Sequence, residues 1–414
     1  MEAEFWFPAS FNHRLSSLLI TNNHRQLISC MQRPSRAESV GIVTPQNIHI
    51  SEPLALSSGH TLKGYELVYE TYGELNSAGT NAVLLCHALS GHHHAAGYYT
   101  DDPNEKPGWW EFCVGPGKPV DTNRFFVVVP NNIGGCHGST GPNTINPETG
   151  KYWGSDFPGL RFRDWVHSQR QLADALGIAT WAAVVGGSLG GMQAMRWALE
   201  YPERLRHCVV LASAMSLTPQ NIAFNELARR AISADPHYCE GRYLEAGKSP
   251  DKGLALARMI AHVTYVSQDD LEQRFGRDLK VGSFERGRDS ELEFQVESYL
   301  NYKGDQFSEQ FDANTYLLIT RMLDVFDLAR EYNNDAVAAF SHAECDFFVA
   351  SFTTDWRFSS ERSREIANAL MAAKCNLSYI DVETDKGHDG FLLPIPRYIN
   401  AFSAYMQRVA AEVA

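Results

Sequence analysis

Ser188 stands in Gly186-Gly-Ser-Leu-Gly190, behind the apolar run Trp181-Ala-Ala-Val-Val185 and ahead of the helix-like Met192-Gln-Ala-Met-Arg-Trp-Ala-Leu199. A serine held in a sharp strand-to-helix turn needs small residues two positions to either side, because side chains there would collide as the chain reverses. Gly186 and Gly190 meet that need. The turn presents the hydroxyl at a helix N-terminus, where the backbone N–H of Leu189 can stabilise a developing oxyanion. The chemistry implied is attack by Ser188 on an acyl carbon through a covalent acyl-serine, which hydrolysis and acyl transfer share.

A serine hydroxyl is a weak nucleophile unless a base takes its proton and an acid orients that base, in the chain order Ser, Asp, His for such a turn. His388 lies in Asp385-Lys-Gly-His-Asp-Gly-Phe391, where Gly387 and Gly390 give the backbone freedom to aim an imidazole. Of fifteen histidines it alone occupies the loop expected after the last strand. Asp355, in Ser351-Phe-Thr-Thr-Asp-Trp-Arg-Phe358, follows a predicted strand and precedes a helix, which makes it the natural orienting acid. Asp346, at the other end of that strand, and Asp385, on the histidine loop, are its rivals. The second oxyanion donor belongs in His87-Ala-Leu-Ser-Gly91, after the predicted strand 82–86, with Leu89 supplying the N–H.

Other chemistry fits less well. His92-His-His94 could suggest a metal, but three consecutive side chains rarely converge on one ion and no acidic or Cys partner has ligand spacing, so no metal is expected. The Gly-Lys pairs ending at Lys118, Lys151 and Lys248 lack the earlier glycine of a phosphate loop.

The elements that must position these residues alternate. Short β-branched or aromatic runs at 82–86, 125–130, 181–186, 208–212, 346–351 and 376–381 are interleaved with amphipathic helical patterns at 164–177, 190–201, 359–374 and 395–411. That pattern predicts a mostly parallel sheet flanked by helices. Between 215 and 335 the strand signals give way to helical segments at 220–234, 253–266, 290–302 and 314–330, read as a lid inserted over the strand ends. The expected division is therefore a loose tail over 1–43, the first part of an α/β core over 44–214, a helical lid over 215–335 and the rest of the core over 336–414.

With 414 residues, 44% hydrophobic and 21% charged, the chain reads as an ordinary globular protein. Its apolar runs, such as Phe125-Phe-Val-Val-Val129, have the length of buried strands rather than the ~20 residues of a membrane span. A net charge of −13 with no basic block argues against a nucleic-acid or anionic-membrane partner. Eight scattered cysteines without a Cys-x-x-Cys pair or a recognisable secretory leader read as reduced thiols in the cytoplasm.

Several segments together resemble the homoserine O-acyltransferases of methionine biosynthesis: His87-Ala-Leu-Ser-Gly91, Gly108-Trp-Trp110, Val114-Gly-Pro-Gly-Lys118, Asn132-Ile-Gly-Gly-Cys136, Gly138-Ser-Thr-Gly-Pro142, Gly186-Gly-Ser-Leu-Gly-Gly-Met192 and Phe294-Gln-Val-Glu-Ser-Tyr-Leu300. The resemblance spans roughly 45–410. It implies an α/β-hydrolase fold, a homodimer joined through lid helices, and no prosthetic cofactor. It also implies that Arg258 and Asp389 bind homoserine, a guanidinium meeting its carboxylate and a carboxylate its ammonium. Thr354-Asp-Trp-Arg-Phe358 looks like the succinyl-specific branch, in which Arg357 would meet the far carboxylate of succinyl-CoA. The alternatives left open are an acetyl-CoA-dependent acetyltransferase, an esterase, and a noncatalytic binding protein of the same fold.

Overall fold

Alternation along the apolar runs decides which side of a sheet each side chain takes. In the strand Ala82–Cys86, Ala82, Leu84 and Cys86 join one core while Val83 and Leu85 join another, and Val127 and Val129 likewise oppose Val128. Two cores on two faces require helices on both sides. The computed structural model, which describes residues 38–284 and 292–413, has that arrangement.

The main sheet has eight strands: β1 (Gln46–Ile50), β2 (Tyr65–Tyr72), β3 (Ala82–Cys86), β4 (Phe126–Pro130), β5 (Ala183–Gly187), β6 (His207–Leu211), β7 (Asp346–Phe352) and β8 (Leu377–Val382). Their spatial order is β1-β2-β4-β3-β5-β6-β7-β8. β2 runs antiparallel to β1 and β4, and every pair from β4 to β8 is parallel. One face is covered by α1 (Phe162–Ala175), α2 (Leu189–Glu200) and, further along the chain, a helix over Ser360–Ala372; the other is covered by the C-terminal helix Pro396–Glu412 with Tyr398, Phe402 and Met406.

Between β6 and β7 the chain leaves the sheet and builds α3 (Pro219–Ser233), α4 (Asp251–Val263), α5 (Gln268–Phe275), α6 (Gln295–Ser308) and α7 (Ala313–Val325). Thr218 and Asp312 cap α3 and α7, each accepting a backbone N–H in the first turn. A small antiparallel strand pair (Leu279–Val281 with Glu293–Phe294) also lies in this stretch, where the sequence shows no strand signal.

Among the described residues, two strands of the main sheet, β1 and β2, and two helices, α5 and a short one over Ala336–Phe340, have no counterpart in the sequence pattern. β1 and β2 are the antiparallel edge, where Glu66 and Glu70 interrupt the apolar run, and α5 is short and highly charged. The tail expected over 1–43 lies outside the described residues as far as 37. Residues 38–43 are not loose: Ile42 bridges Tyr98, the Val43 N–H donates to the Tyr98 carbonyl at 2.8 Å, and Val40 packs against the second core.

Candidate active site

Ser188 follows β5 with φ 57° and ψ −123°, a conformation few L-residues adopt. The surroundings hold it there: the Ser188 N–H donates to the Leu211 carbonyl at 2.8 Å, and the Ser213 hydroxyl donates to the Ser188 carbonyl at 2.7 Å. A Cβ on Gly186 would lie 2.1 Å from the Gly190 backbone, and one on Gly190 would lie 2.0 Å from the Cys86 carbonyl oxygen. Those two glycines are what allow α2 to start against the end of β3.

Asp355 and His388 come from the loops that follow β7 and β8, which are adjacent in the sheet. His388 Nδ1 lies 2.7 Å from Asp355 Oδ2, and its Nε2 lies 2.8 Å from Ser188 Oγ. Asp355 Oδ1 accepts the backbone N–H groups of Arg357 and Phe358, both at 2.9 Å. The carboxylate is thereby fixed and its second oxygen turned to the imidazole. All three side chains are buried, with Phe358 and Phe391 edge-on to the His388 ring. Of the rival acids, Asp346 pairs with Arg408 at 2.6 Å and Asp385 with Lys386 at 3.2 Å; the imidazole takes neither.

Leu189 is the first residue of α2, so its N–H has no acceptor within the helix. Leu89 sits buried in the turn after β3, on the neighbouring strand to β5. A network that the sequence does not disclose pins that turn. Gln193 donates to the His87 carbonyl at 3.2 Å, Asn132 donates to Gln193 at 3.1 Å, and the Asn132 N–H donates to His87 Nε2 at 3.3 Å. Asn132 opens the Gly-rich run after β4, which by composition alone is just a loop; its position at a strand end is the available signal.

Arg258 projects from α4, its guanidinium 5.3 Å from the ring of Tyr265 and 4.9 Å from that of Phe307, with a buried NH1 lacking any hydrogen-bond partner. Asp389 follows His388 directly. Burial raises its carboxyl above the usual range, with His388, Arg258 and Lys303 pulling the other way. Lys303, on α6, carries no signal in the sequence; burial, with Arg258 nearby, pushes its ammonium down to about 8.

Arg357 is 5% exposed. Its NH1 donates to Thr264 Oγ1 at 2.8 Å and its NH2 to Asn225 Oδ1 at 3.4 Å, and the guanidinium lies 5.4 Å from the Tyr265 ring. Among the described residues no carboxylate lies within ion-pair distance of it. Tyr265 therefore touches both arginines, 5.3 Å from Arg258 and 5.4 Å from Arg357, and its own ring is 5.8 Å from that of His388. Nothing in the sequence marks Tyr265, which falls at the end of a helix pattern.

The three consecutive histidines diverge. His92 packs on His137 at 4.3 Å, whereas His94 Nδ1 meets Glu70 at 3.1 Å. Burial pushes His93 down to about 4 and His92 to about 2, which keeps both neutral. Among the described residues no cluster of three or more His, Cys, Asp or Glu side chains could hold a metal, and no helix is long and apolar enough to cross a membrane.

Residues 81–393 match the family model of the alpha/beta hydrolase fold. Over 380 residues, 92% of this chain and 100% of the relative, the sequence is 63% identical to a homoserine O-succinyltransferase of Saccharophagus degradans. A homoserine O-succinyltransferase of Teredinibacter turnerae is 62% identical over 90% of this chain and 97% of its own. Among solved structures, a homoserine O-acetyltransferase from Bacillus anthracis superposes with a TM-score of 0.82 at 27% identity, covering 88% of this chain and 98% of that one.

Proposed function

The chain belongs to the α/β-hydrolase fold family and, within it, to the homoserine O-succinyltransferases, and from that premise we propose that it moves a succinyl group from succinyl-CoA to the hydroxyl of L-homoserine, a step of L-methionine biosynthesis. The observation that carries the choice of donor is Arg357, a buried guanidinium near the triad with only neutral oxygens bonded to it. The acetyl end of acetyl-CoA has no group that would use such a charge, whereas burying the succinyl carboxylate is costly unless a cation meets it.

His388 takes the Ser188 proton through Nε2 while Asp355 fixes the Nδ1 tautomer and steadies the imidazolium. Ser188 Oγ attacks the thioester carbonyl, the oxyanion rests on the N–H groups of Leu189 and Leu89, and CoA leaves as the thiol with the proton from His388. The enzyme now holds a succinyl ester. Homoserine enters with its carboxylate on Arg258 and its ammonium on Asp389, His388 removes its hydroxyl proton, and the homoserine oxygen displaces from the ester Ser188 Oγ, which recovers that proton from His388. The products are O-succinyl-homoserine and free enzyme, in a ping-pong cycle. The lid keeps water from the ester between the two halves.

No prosthetic group is needed; succinyl-CoA is a co-substrate, and the enzyme works in the cytoplasm, where that donor is made available. We place the pairing of two copies on the lid helices, where Leu227 on α3 and Leu256 and Val263 on α4 are exposed. Sedimentation analysis checks the dimer.

The assay for the reaction measures thiol release from succinyl-CoA and from acetyl-CoA, each with homoserine, serine or water, and identifies the product by mass. Release with succinyl-CoA and homoserine together is expected. Preference for acetyl-CoA would show that Arg357 does not select the donor, and release with water alone would make the protein a hydrolase.

A further inference from the structure

Asn225 lies between two charges. From α3 its side-chain Nδ2 donates to Asp324 Oδ1 at 2.8 Å, and its Oδ1 faces Arg357 NH2 at 3.4 Å. Asp324, on α7, is already matched on its far side by Arg229 at 2.7 Å. A carboxylate only accepts and a guanidinium only donates, so the amide can take one orientation here. All four side chains are at most 8% exposed, and charges in such a place act strongly on one another.

We propose that Asn225 is a specificity-determining positioning residue, a neutral spacer that holds Arg357 in place while keeping the Asp324 charge one hydrogen bond away from it. Thr264 does the same from the other side, donating its own proton to the Ala261 carbonyl at 2.7 Å and accepting from Arg357. Asn221 completes the fixation by donating to the Arg357 carbonyl at 2.8 Å. The guanidinium is therefore held by neutral contacts alone, and its charge is left for the donor's carboxylate. An acid at position 225 would be an internal counter-ion that succinyl would have to displace. This inference rests on the assignment of Arg357 to the donor's far end.

The test exchanges the two side chains, N225D with D324N. The swap preserves composition and net charge, the amide introduced at position 324 would still donate to the carboxylate introduced at 225, and Arg229 keeps its other carboxylate partner, Glu226, at 3.0 Å. It moves only the negative charge, to a place next to Arg357. The ratio of kcat/KM for succinyl-CoA over acetyl-CoA is expected to fall about tenfold or more, mainly through the succinyl-CoA KM. In an R357Q background the same swap should leave the ratio where R357Q put it. A swapped enzyme with the wild-type ratio would overturn the proposal, as would a further fall in the R357Q background, because a merely structural role acts on both donors and does not need Arg357. If the swap does not fold, N225L is read in the same two backgrounds with the same outcomes. A wild-type enzyme that does not prefer succinyl-CoA would instead refute the donor assignment, and this inference with it.

Discussion

The backbone N–H of His388 donates to the carbonyl of Tyr265 at 2.8 Å, so the imidazole that faces Ser188 hangs from the inserted helical segment that also touches both arginines. Neighbouring contacts repeat the link. Ser267 donates to the Asp385 carbonyl, Lys386 meets Asp270 at 2.7 Å, and the Trp356 indole donates to the Val266 carbonyl at 3.1 Å. The stretch 264–270 thus grips the segments of both Asp355 and His388, so a shift of the inserted helices would reach these two side chains through a few hydrogen bonds.

Gly387 permits that link. It has φ +64°, and a Cβ there would lie 2.6 Å from the Tyr265 oxygen. Gly387→Ala should therefore push His388 off its carbonyl anchor and cost about 1–2 kcal/mol in backbone strain. We expect kcat to fall with both donors while far-UV circular dichroism stays native. Unchanged kcat would show that the anchor does not set the imidazole.

Ser188→Ala should abolish the acyl-enzyme, with kcat falling on the order of 10⁵-fold or more. Intact-protein mass spectrometry after incubation with succinyl-CoA reads this directly; a retained succinyl adduct would reject Ser188 as the nucleophile.

Asp355→Asn should be nearly isosteric yet catalytically severe. Its oxygen would stay on the backbone N–H groups of Arg357 and Phe358, turning the new NH2 toward His388 Nδ1. The imidazole must then carry its proton on Nε2 and cannot accept one from Ser188. A loss of roughly 10⁴-fold in kcat is expected with little change in Tm.

Arg357→Gln should lower kcat/KM for succinyl-CoA by roughly tenfold to a hundredfold and affect acetyl-CoA far less. Equal losses with both donors would remove Arg357 from donor selection.

Asp389 gives a pH dependence with a definite sign. Burial raises its pKa, so on acidification it loses its charge earlier than an ordinary carboxylate does. If it holds the homoserine ammonium, the KM for homoserine should climb as pH falls through that raised value, with the rate of acyl-enzyme formation read separately. Asp389→Asn should have a high KM and lose the acid-side rise. A rise that persists in this variant would assign the titration to another group.

The sharp turn at Ser188 is legible in the chain because only glycine fits at 186 and 190 when α2 starts against β3, and such steric demands are local. The alternation of elements is legible too, since the buried strands are continuous apolar runs whose period and length are written in the residues. The choice of Asp355 over Asp346 and Asp385 needs the sheet, which sets the ends of β7 and β8 side by side and pairs the other two acids with Arg408 and Lys386. The amphipathic antiparallel edge, the network of Asn132 and Gln193, and the setting of Tyr265, Lys303 and Asn225 emerge only once the chain is folded. Each is an ordinary residue in its own helix, strand or loop. Its role comes from a partner distant in sequence, and neither propensity nor periodicity encodes which distant polar groups burial will force to pair.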